Sequence, residues 1–298
     1  MSRSLSLILL LVCSQSLLAA PKVLVSIQPL QLIAQSILGQ QGTSEALLPP
    51  GSSPHSFSLR PSDSRRMAQA DAFFWIGPDM ENFLQKLAER KSQQSHALQA
   101  IPGLELLYYD EAHEHGEHEL KQHDHDHLPG ALDAHLWLSS YNARVIAAYM
   151  ADEFTRLQPS AAEYYQANLQ AFQRELDELD KELSQWLQPV QGKPFFVFHE
   201  AFNYLEHRYG LEHRGVFALS ADVQPGARHM QQMRQVLEQA GASCIFYEPP
   251  AAPRLAHSLA KDLPVRLQEL DPLGSKVDSY PALLQSMAVA MQQCLADL

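Results

Sequence analysis

A long amphipathic segment near the middle of the chain constrains the fold more than any other feature of the sequence. Pro159 interrupts the preceding pattern, and apolar residues then recur at three- and four-residue steps through 160–187. These residues are Tyr165, Leu169, Phe172, Leu176, Leu179, Leu183 and Leu187. At about 1.5 Å per residue, such a helix reaches roughly 40 Å, which exceeds the width of one small domain. We therefore predict a helix that connects two domains, with a coiled-coil dimerisation helix as the alternative.

Strand and helix patterns alternate on both sides of this segment. The apolar runs VLVSI and DAFFWIG predict strands before it, and PFFVFHE, RGVFAL, SCIFYE and VRLQEL predict strands after it. Strands that alternate with helices form parallel sheets. The predicted fold class is α/β, with two similar domains whose parallel sheets are flanked by helices and joined by one long interdomain helix. The predicted N-terminal domain is 21–158, the linking helix 159–188 and the C-terminal domain 189–298.

The first twenty residues have the features of a secretory signal peptide. Arg3 precedes an apolar run from Leu7 to Cys13, and small residues end at Ala20, where we predict cleavage. A lipoprotein signal would place a small residue before Cys13, whereas Val12 stands there. The apolar run is too short for a stable membrane anchor. We therefore expect an exported, periplasmic protein with no membrane insertion after cleavage.

The charge of the chain limits the classes of partner. The full chain has 22 Lys and Arg residues against 34 Asp and Glu residues, a net charge of −12, and loss of Arg3 with the signal makes it more acidic. An acidic protein is poorly suited to binding nucleic acid or an anionic membrane surface, whereas its charge is compatible with binding cations.

A tract at 110–127 is dense in histidine and carboxylate side chains. Its histidines are His113, His115, His118, His123, His125 and His127. Imidazoles and carboxylates are common ligands of divalent metals, so the composition predicts metal contact. A solvated acidic tract with no specific role is the alternative. We predict a flexible accessory that binds several ions weakly, and expect that its deletion leaves one tight site intact.

Four other possible ligands lie in loops or at the ends of predicted strands. His55 lies in the Pro-, Gly- and Ser-rich loop 49–63, and His135 follows the tract. His199 ends the strand PFFVF, and Asp271 follows VRLQEL. Ligands of open parallel sheets bind beyond the carboxyl ends of the strands, so these residues are candidates for one metal site. Taken singly, each position favours a structural histidine or a cap; together with the histidine-rich tract, the four favour a metal site.

The cysteines indicate one disulfide. Cys13 leaves with the signal, and Cys244 and Cys294 remain as an even set in an exported protein, where oxidation is permitted. We predict a bridge between them, with two free buried thiols as the alternative.

Five motifs together resemble a known family. The segments GSSPHSFSLRPSD, DAHLWLS, FFVFHEAFNYLEHRYGL, QPGAR and LDPLG are similar to those of the cluster A-I, or cluster 9, solute-binding proteins, which deliver zinc or manganese to bacterial ABC importers. The resemblance covers nearly the whole mature chain and is closest to the zinc branch. It implies that His55, His135 and His199 are the first, second and third metal ligands. It also implies that Asp271 matches an aspartate that binds the metal in manganese members and lies near it in zinc members.

The residue at position 199 bears on the choice of metal. Manganese members of the family typically have glutamate there, and three imidazoles favour zinc over the harder manganese ion. The resemblance therefore implies a Zn²⁺-binding protein that acts as a monomer and hands its ion to an inner-membrane permease with a cytoplasmic ATPase. A manganese-binding homologue is the alternative.

Two alternatives come from other functional classes. Three histidines with a water molecule also describe a catalytic zinc centre, but Asn203 stands where an HExxH motif starting at His199 would need its second histidine. The sequence also lacks a GxSxG elbow. A surface adhesin is disfavoured by the missing lipobox. We therefore expect no enzymatic activity, and expect only limited hinge motion because a continuous helix resists bending.

Overall fold

A computed structural model describes residues 20–109, 130–218, 226–249 and 253–298. Residues 1–19 of the predicted signal peptide and the six accessory histidines of the tract, His113 to His127, lie outside the described residues. Among the helices that are described, none is long and apolar enough to cross a lipid bilayer.

The first half of the chain forms a four-stranded parallel sheet with helices on its faces. Its strands run in the order β2-β1-β3-β4. The strands are β1 (Lys22–Val25), β2 (Thr43–Ala46), β3 (Ala72–Trp75) and β4 (Ser95–Ala97). The helices are α1 (Gln28–Leu38), α2 (Pro61–Gln69), α3 (Asn82–Glu89) and α4 (Ser140–Leu157). All four residues of β3 are buried, as expected for the central strand of a covered parallel sheet.

The second half repeats this arrangement. Its parallel sheet has the order β6-β5-β7-β8, which is the same order relative to the chain as in the first half. The strands are β5 (Phe195–His199), β6 (Val216–Ala218), β7 (Ser243–Tyr247) and β8 (Val265–Glu269). The helices are α6 (Asn203–Tyr209), α7 (Ala227–Ala240), α8 (Pro253–Ala260) and α9 (Tyr280–Ala296). The predicted α/β class with two parallel sheets is confirmed.

The long central helix, α5, is also confirmed. It spans Ala162–Leu187 and follows a 3₁₀ turn at Pro159–Ala161, so the regular helix begins three residues after the predicted start of the linking helix at 159. All seven apolar residues of the predicted stripe are buried. Because the stripe packs inside its own chain, against α1, α4 and α9, it leaves no exposed seam for the alternative coiled-coil dimer.

Asp180 of α5 joins elements from both halves. Its carboxylate accepts hydrogen bonds from Ser140 Oγ at 2.6 Å and Arg144 Nη2 at 3.0 Å on α4. It also accepts hydrogen bonds from Arg208 Nη2 at 2.7 Å and Tyr209 Oη at 2.8 Å on α6. Burial opposes ionisation, but these four donors outweigh it and lower the pKa of Asp180. The long helix is therefore fixed to each half by one buried carboxylate.

The predicted disulfide is present. Cys244 in β7 and Cys294 in α9 are bonded, with their Cα atoms 6.2 Å apart. The bridge attaches the last helix to a central strand of the second sheet, and the alternative of two free thiols is wrong.

Two details of the first half are not predicted from the sequence. Helix α2 begins at Pro61, with Arg60 as its N-cap. Asp63 lies in the first turn, where its Oδ2 accepts the Arg60 backbone N–H at 2.8 Å. The edge strands β2 and β4 are not predicted from the sequence.

Candidate metal centre

Three of the four predicted ligands meet in one place. His55, His135 and His199 each offer a ring nitrogen, and the three nitrogens lie within 4.8 Å of one another. The ring centroids are 5.4 Å apart for His55 and His135, 5.2 Å for His55 and His199, and 4.9 Å for His135 and His199. Among the residues that the structure describes, this is the only group of three or more His, Cys, Asp or Glu side chains that could hold an ion.

Each histidine reaches this point from a different kind of element. His199 is the last residue of β5, at the carboxyl end of a strand in the middle of its sheet. His135 directly precedes the 3₁₀ turn Leu136–Leu138, which leads into α4. His55 lies on the loop between β2 and α2. His135 and His199 are 3% and 2% exposed, whereas His55 is partly exposed, so the site opens on the side of His55.

The order of the strands explains the position of His199. Strand β5 has β6 on one side and β7 on the other, so the chain reverses its direction of winding between β5 and β7. Ligands of open parallel sheets bind at such a switch point, beyond the strand ends. The β5–β7 pairing matches Val197 with Phe246. His199 and Glu248 each lie two residues further along the chain, and their side chains are in contact.

Asp133 orients His135. Its Oδ1 lies 2.8 Å from Nδ1 of His135 and also accepts the backbone N–H of His135 at 3.0 Å. With Nδ1 donating to this carboxylate, Nε2 carries the lone pair that a metal requires. Burial, together with nearby His199 and His55, lowers the pKa of His135 well below its ordinary value, so its ring is neutral at neutral pH.

The carboxyl group of Asp133 lies at the contact between the two halves. Burial raises its pKa to about 7, opposed by hydrogen bonds from the His135 backbone, Asn203 and Tyr109. The hydroxyl of Tyr204, on α6 of the second half, donates to the Asp133 carbonyl at 2.9 Å. Residues of the second half therefore help to hold the segment that carries His135.

Glu248 lies beside His199, as Asp133 lies beside His135, but at a longer distance. Nδ1 of His199 lies 3.3 Å from Oε1 and 3.5 Å from Oε2 of Glu248. Burial lowers the pKa of His199, but the contact with Glu248, with further contributions from Asp133 and Glu200, outweighs burial and raises it above its ordinary value. Both buried histidines thus direct Nδ1 toward a carboxylate.

The fourth predicted ligand, Asp271, does not belong to the three-histidine group. Its Oδ1 accepts the backbone N–H groups of Leu273 and Gly274, both at 3.0 Å. Its Oδ2 accepts the backbone N–H of Ser275 at 2.7 Å and the Ser275 hydroxyl at 2.5 Å. The carboxylate therefore stabilises the turn after β8, and a ligand role for Asp271 stays a prediction.

The turn that Asp271 stabilises forms one wall of the site. Pro272 and Leu273 line the cavity at the three histidines, together with Trp137. The indole Nε1 of Trp137 donates to the Pro272 carbonyl at 2.8 Å, and its ring centroid lies 5.3 Å from that of His135. Tyr280 Oη donates to the Trp137 carbonyl at 2.6 Å. These contacts join the halves and exclude water from one side of the imidazoles.

Asp133 and Glu248 are the residues that the sequence analysis missed. Both have a recognisable signal, because Asp133 stands two residues before His135 and Glu248 is the last residue of the predicted strand SCIFYE. The strand-end reasoning that selected His199 and Asp271 applies equally to Glu248. The set as a whole offers three nitrogen ligands and leaves further coordination positions open, which suits a tetrahedral ion such as zinc.

The chain matches known proteins along nearly all of its length. Residues 23–294 match the family model described as zinc-uptake complex component A, periplasmic. The high-affinity zinc uptake system protein ZnuA of Yersinia pestis is 36% identical over 293 residues, covering 93% of this chain and 92% of that protein. The protein of the same name from Brucella suis biovar 1 is 33% identical, covering 92% of this chain and 91% of that protein.

A solved structure supports the same assignment. A crystal structure of ZnuA superimposes with a TM-score of 0.78 at 25% sequence identity, covering 93% of this chain and 99% of that chain. The resemblance seen in the sequence motifs is therefore confirmed by the family model, by relatives matched over more than nine-tenths of their length and by the fold. The chain belongs to the family of periplasmic zinc-uptake complex component A proteins.

Proposed function

We propose that this protein binds Zn²⁺ in the periplasm and delivers it to the inner-membrane permease of an ABC importer, which a cytoplasmic ATPase drives. The observation that carries the proposal is the group of three imidazoles, His55, His135 and His199, at the contact between the two halves. Membership of a zinc-uptake family supports it.

The ligand chemistry favours zinc over manganese. Imidazole nitrogen is a ligand of intermediate softness that suits Zn²⁺, whereas Mn²⁺ is found with carboxylate, carbonyl and water oxygens. The oxygen ligand that a manganese site would need is Asp271, and its carboxylate already accepts four hydrogen bonds from its own turn. A water molecule or a small anion can complete the tetrahedron around the ion.

The arrangement also suits a protein that carries an ion and releases it. Two of the ligands are almost fully buried, so a bound ion is shielded from competing water. The third, His55, lies on a partly exposed loop with Gly51, Ser53 and Pro54 among the residues that line the cavity. The ion can therefore enter and leave past one loop, without movement of the strand that carries His199.

Single substitutions of the three histidines test the proposal. His55→Ala, His135→Ala and His199→Ala each remove one nitrogen ligand, and we expect each to weaken Zn²⁺ binding by more than the roughly 10- to 100-fold seen when only an outer partner of a ligand is lost. Affinity is measured by competition with a chromogenic chelator. His207→Ala is the matched control, because this histidine is exposed on α6 and its loss is expected to leave the affinity unchanged.

Two further measurements distinguish this site from a primary site in the histidine-rich tract and from a manganese site. A variant without residues 110–127 is expected to keep one tight Zn²⁺ site; loss of tight binding in it would place the primary site in the tract. Titration with Mn²⁺ is expected to give much weaker binding than Zn²⁺. Unchanged zinc affinity in all three alanine variants would contradict the proposal.

A further inference from the structure

The two buried ligand histidines each contact one buried carboxylate, and the two contacts come from different halves. Asp133 Oδ1 lies 2.8 Å from Nδ1 of His135 in the first half. Glu248 Oε1 lies 3.3 Å from Nδ1 of His199 in the second half. Asp133 is 0% exposed and Glu248 is 6% exposed, so neither carboxylate is surrounded by solvent.

These contacts determine which nitrogen of each ring faces the ion. A ring whose Nδ1 donates to a carboxylate presents Nε2 as the metal ligand, and the carboxylate also increases the basicity of that nitrogen. Glu248 directly follows β7, the strand that pairs with β5, and His199 is the last residue of β5. Asp133 is held by the backbone hydrogen bond from its own N–H to the Leu107 carbonyl, at 2.9 Å.

The same carboxylates can balance the charge of the ion. Three neutral imidazoles leave both positive charges of a divalent ion uncompensated, and an uncompensated charge in a buried site is costly. Asp271, whose carboxylate already accepts four hydrogen bonds within its turn, is not among the clustered ligands. When both are ionised, Asp133 and Glu248 together supply two negative charges, one next to each buried histidine.

We propose that Asp133 and Glu248 are paired positioning residues, which fix His135 and His199 and compensate the two charges of the bound ion from outside its coordination shell. This inference rests on the proposed function, because it concerns the same Zn²⁺ site. It assigns preference for a divalent ion to two residues that never touch the metal, with one supplied by each half of the protein.

Conservative variants of Glu248 separate its charge from its shape. Glu248→Gln keeps the side-chain length and an oxygen that accepts from His199 Nδ1, but removes the charge. Glu248→Asp keeps the charge and shortens the side chain by one methylene. Glu89→Gln is the matched control, because this glutamate is exposed at the end of α3. Zn²⁺ affinity is measured by chelator competition, and the visible absorption of the Co²⁺-loaded protein reports the coordination geometry.

We expect Glu248→Gln to weaken Zn²⁺ binding about 10- to 100-fold, in the range known for outer-shell partners, and to keep the Co²⁺ spectrum of the wild type. Glu248→Asp is expected to bind more tightly than Glu248→Gln, and Glu89→Gln to bind like the wild type. The proposal is overturned if Glu248→Gln binds like the wild type or as tightly as Glu248→Asp. A Co²⁺ spectrum altered by Glu248→Gln would also overturn it, in favour of a purely steric role.

Folding and the proposed function are controlled separately. Thermal unfolding of the metal-free variants shows whether they fold, and Asp133→Asn applies the same test to His135 if Glu248→Gln does not fold. A wild-type protein without a tight Zn²⁺ site would refute the proposed function itself. A tight wild-type site that is insensitive to both carboxylates would refute only the pairing.

Discussion

Replacing Glu81 with glutamine should change the pH dependence of stability. Glu81 is fully buried, and its Oε2 accepts the backbone N–H of Ile76 at 2.7 Å, just beyond the end of β3. Burial raises its pKa from 4.5 to about 7, although hydrogen bonds from Ser26 and from the backbone of Ile76 and Gly77 oppose the rise. The carboxyl group therefore stays protonated in the folded protein at pH values where it ionises in the unfolded chain.

The size and sign of the effect follow from this difference. A tenfold change in proton affinity is worth about 1.36 kcal/mol, so the rise in pKa corresponds to roughly 3 kcal/mol. Because the folded state binds the proton more tightly, the contribution of Glu81 is fully present below about pH 4.5 and is lost as the pH rises through about 7. Glu81→Gln cannot ionise and lacks this loss. Its free energy of unfolding relative to the wild type should increase by roughly 3 kcal/mol between pH 4.5 and pH 7.5.

The assay is urea unfolding of metal-free wild type and Glu81→Gln at a series of pH values. Other titrating groups, including Asp133, are present in both proteins and cancel in the difference. Glu89→Gln removes an exposed carboxylate and should give a flat difference over the same range. Parallel profiles for the wild type and Glu81→Gln would show that Glu81 ionises like an exposed glutamate, and would refute the reasoning.

Two further predictions concern what holds the halves together. Asp180→Asn should lower the free energy of unfolding by about 3 kcal/mol, because it leaves two arginines facing a neutral group. Asp177→Asn removes an exposed ion pair with the same Arg144 and should lower the free energy of unfolding by less than about 1 kcal/mol, measured by urea unfolding. Equal losses of stability in the two variants would contradict the central role of Asp180. Cys294→Ser should lower the free energy of unfolding by about 2–5 kcal/mol without changing Zn²⁺ affinity. In denaturant unfolding, this variant should be as stable as the wild type with its disulfide reduced. A change in Zn²⁺ affinity would show that the disulfide shapes the site.

The sequence was sufficient to predict the elements that bury continuous apolar runs. Strands β3 and β5 are short, continuous apolar runs, which is typical of buried strands. Helix α5 has apolar residues at three- and four-residue steps, which is typical of an amphipathic helix. The edge strands β2 and β4 carry no such pattern, because TSEA and SHA are polar or partly exposed and pair on one side only. Their strand conformation comes from the backbone hydrogen bonds of β1 and β3, which no local sequence signal reports.

The carboxylates near the metal site show a different limit of sequence reasoning. Glu248 ends the predicted strand SCIFYE and Asp271 follows the predicted strand VRLQEL, so the sequence alone does not distinguish their positions. The strand order β6-β5-β7-β8 explains why Glu248, and not Asp271, contacts His199. Glu248 follows the strand next to β5, whereas Asp271 follows a strand one position further away. Strand order depends on how the helices cross over the sheet, and it becomes known only with the complete fold.

The two halves share one strand order but use their switch points differently. In the second half, the crevice between β5 and β7 holds His199 and Glu248. In the first half, the matching crevice between β1 and β3 contains Glu81, which accepts the Ile76 N–H there. The first half supplies its two histidines of the candidate site, His55 and His135, from outside its strands. His199 is fixed at the end of a strand, whereas His55 lies on a partly exposed loop, so we expect release of a bound ion to begin with His55.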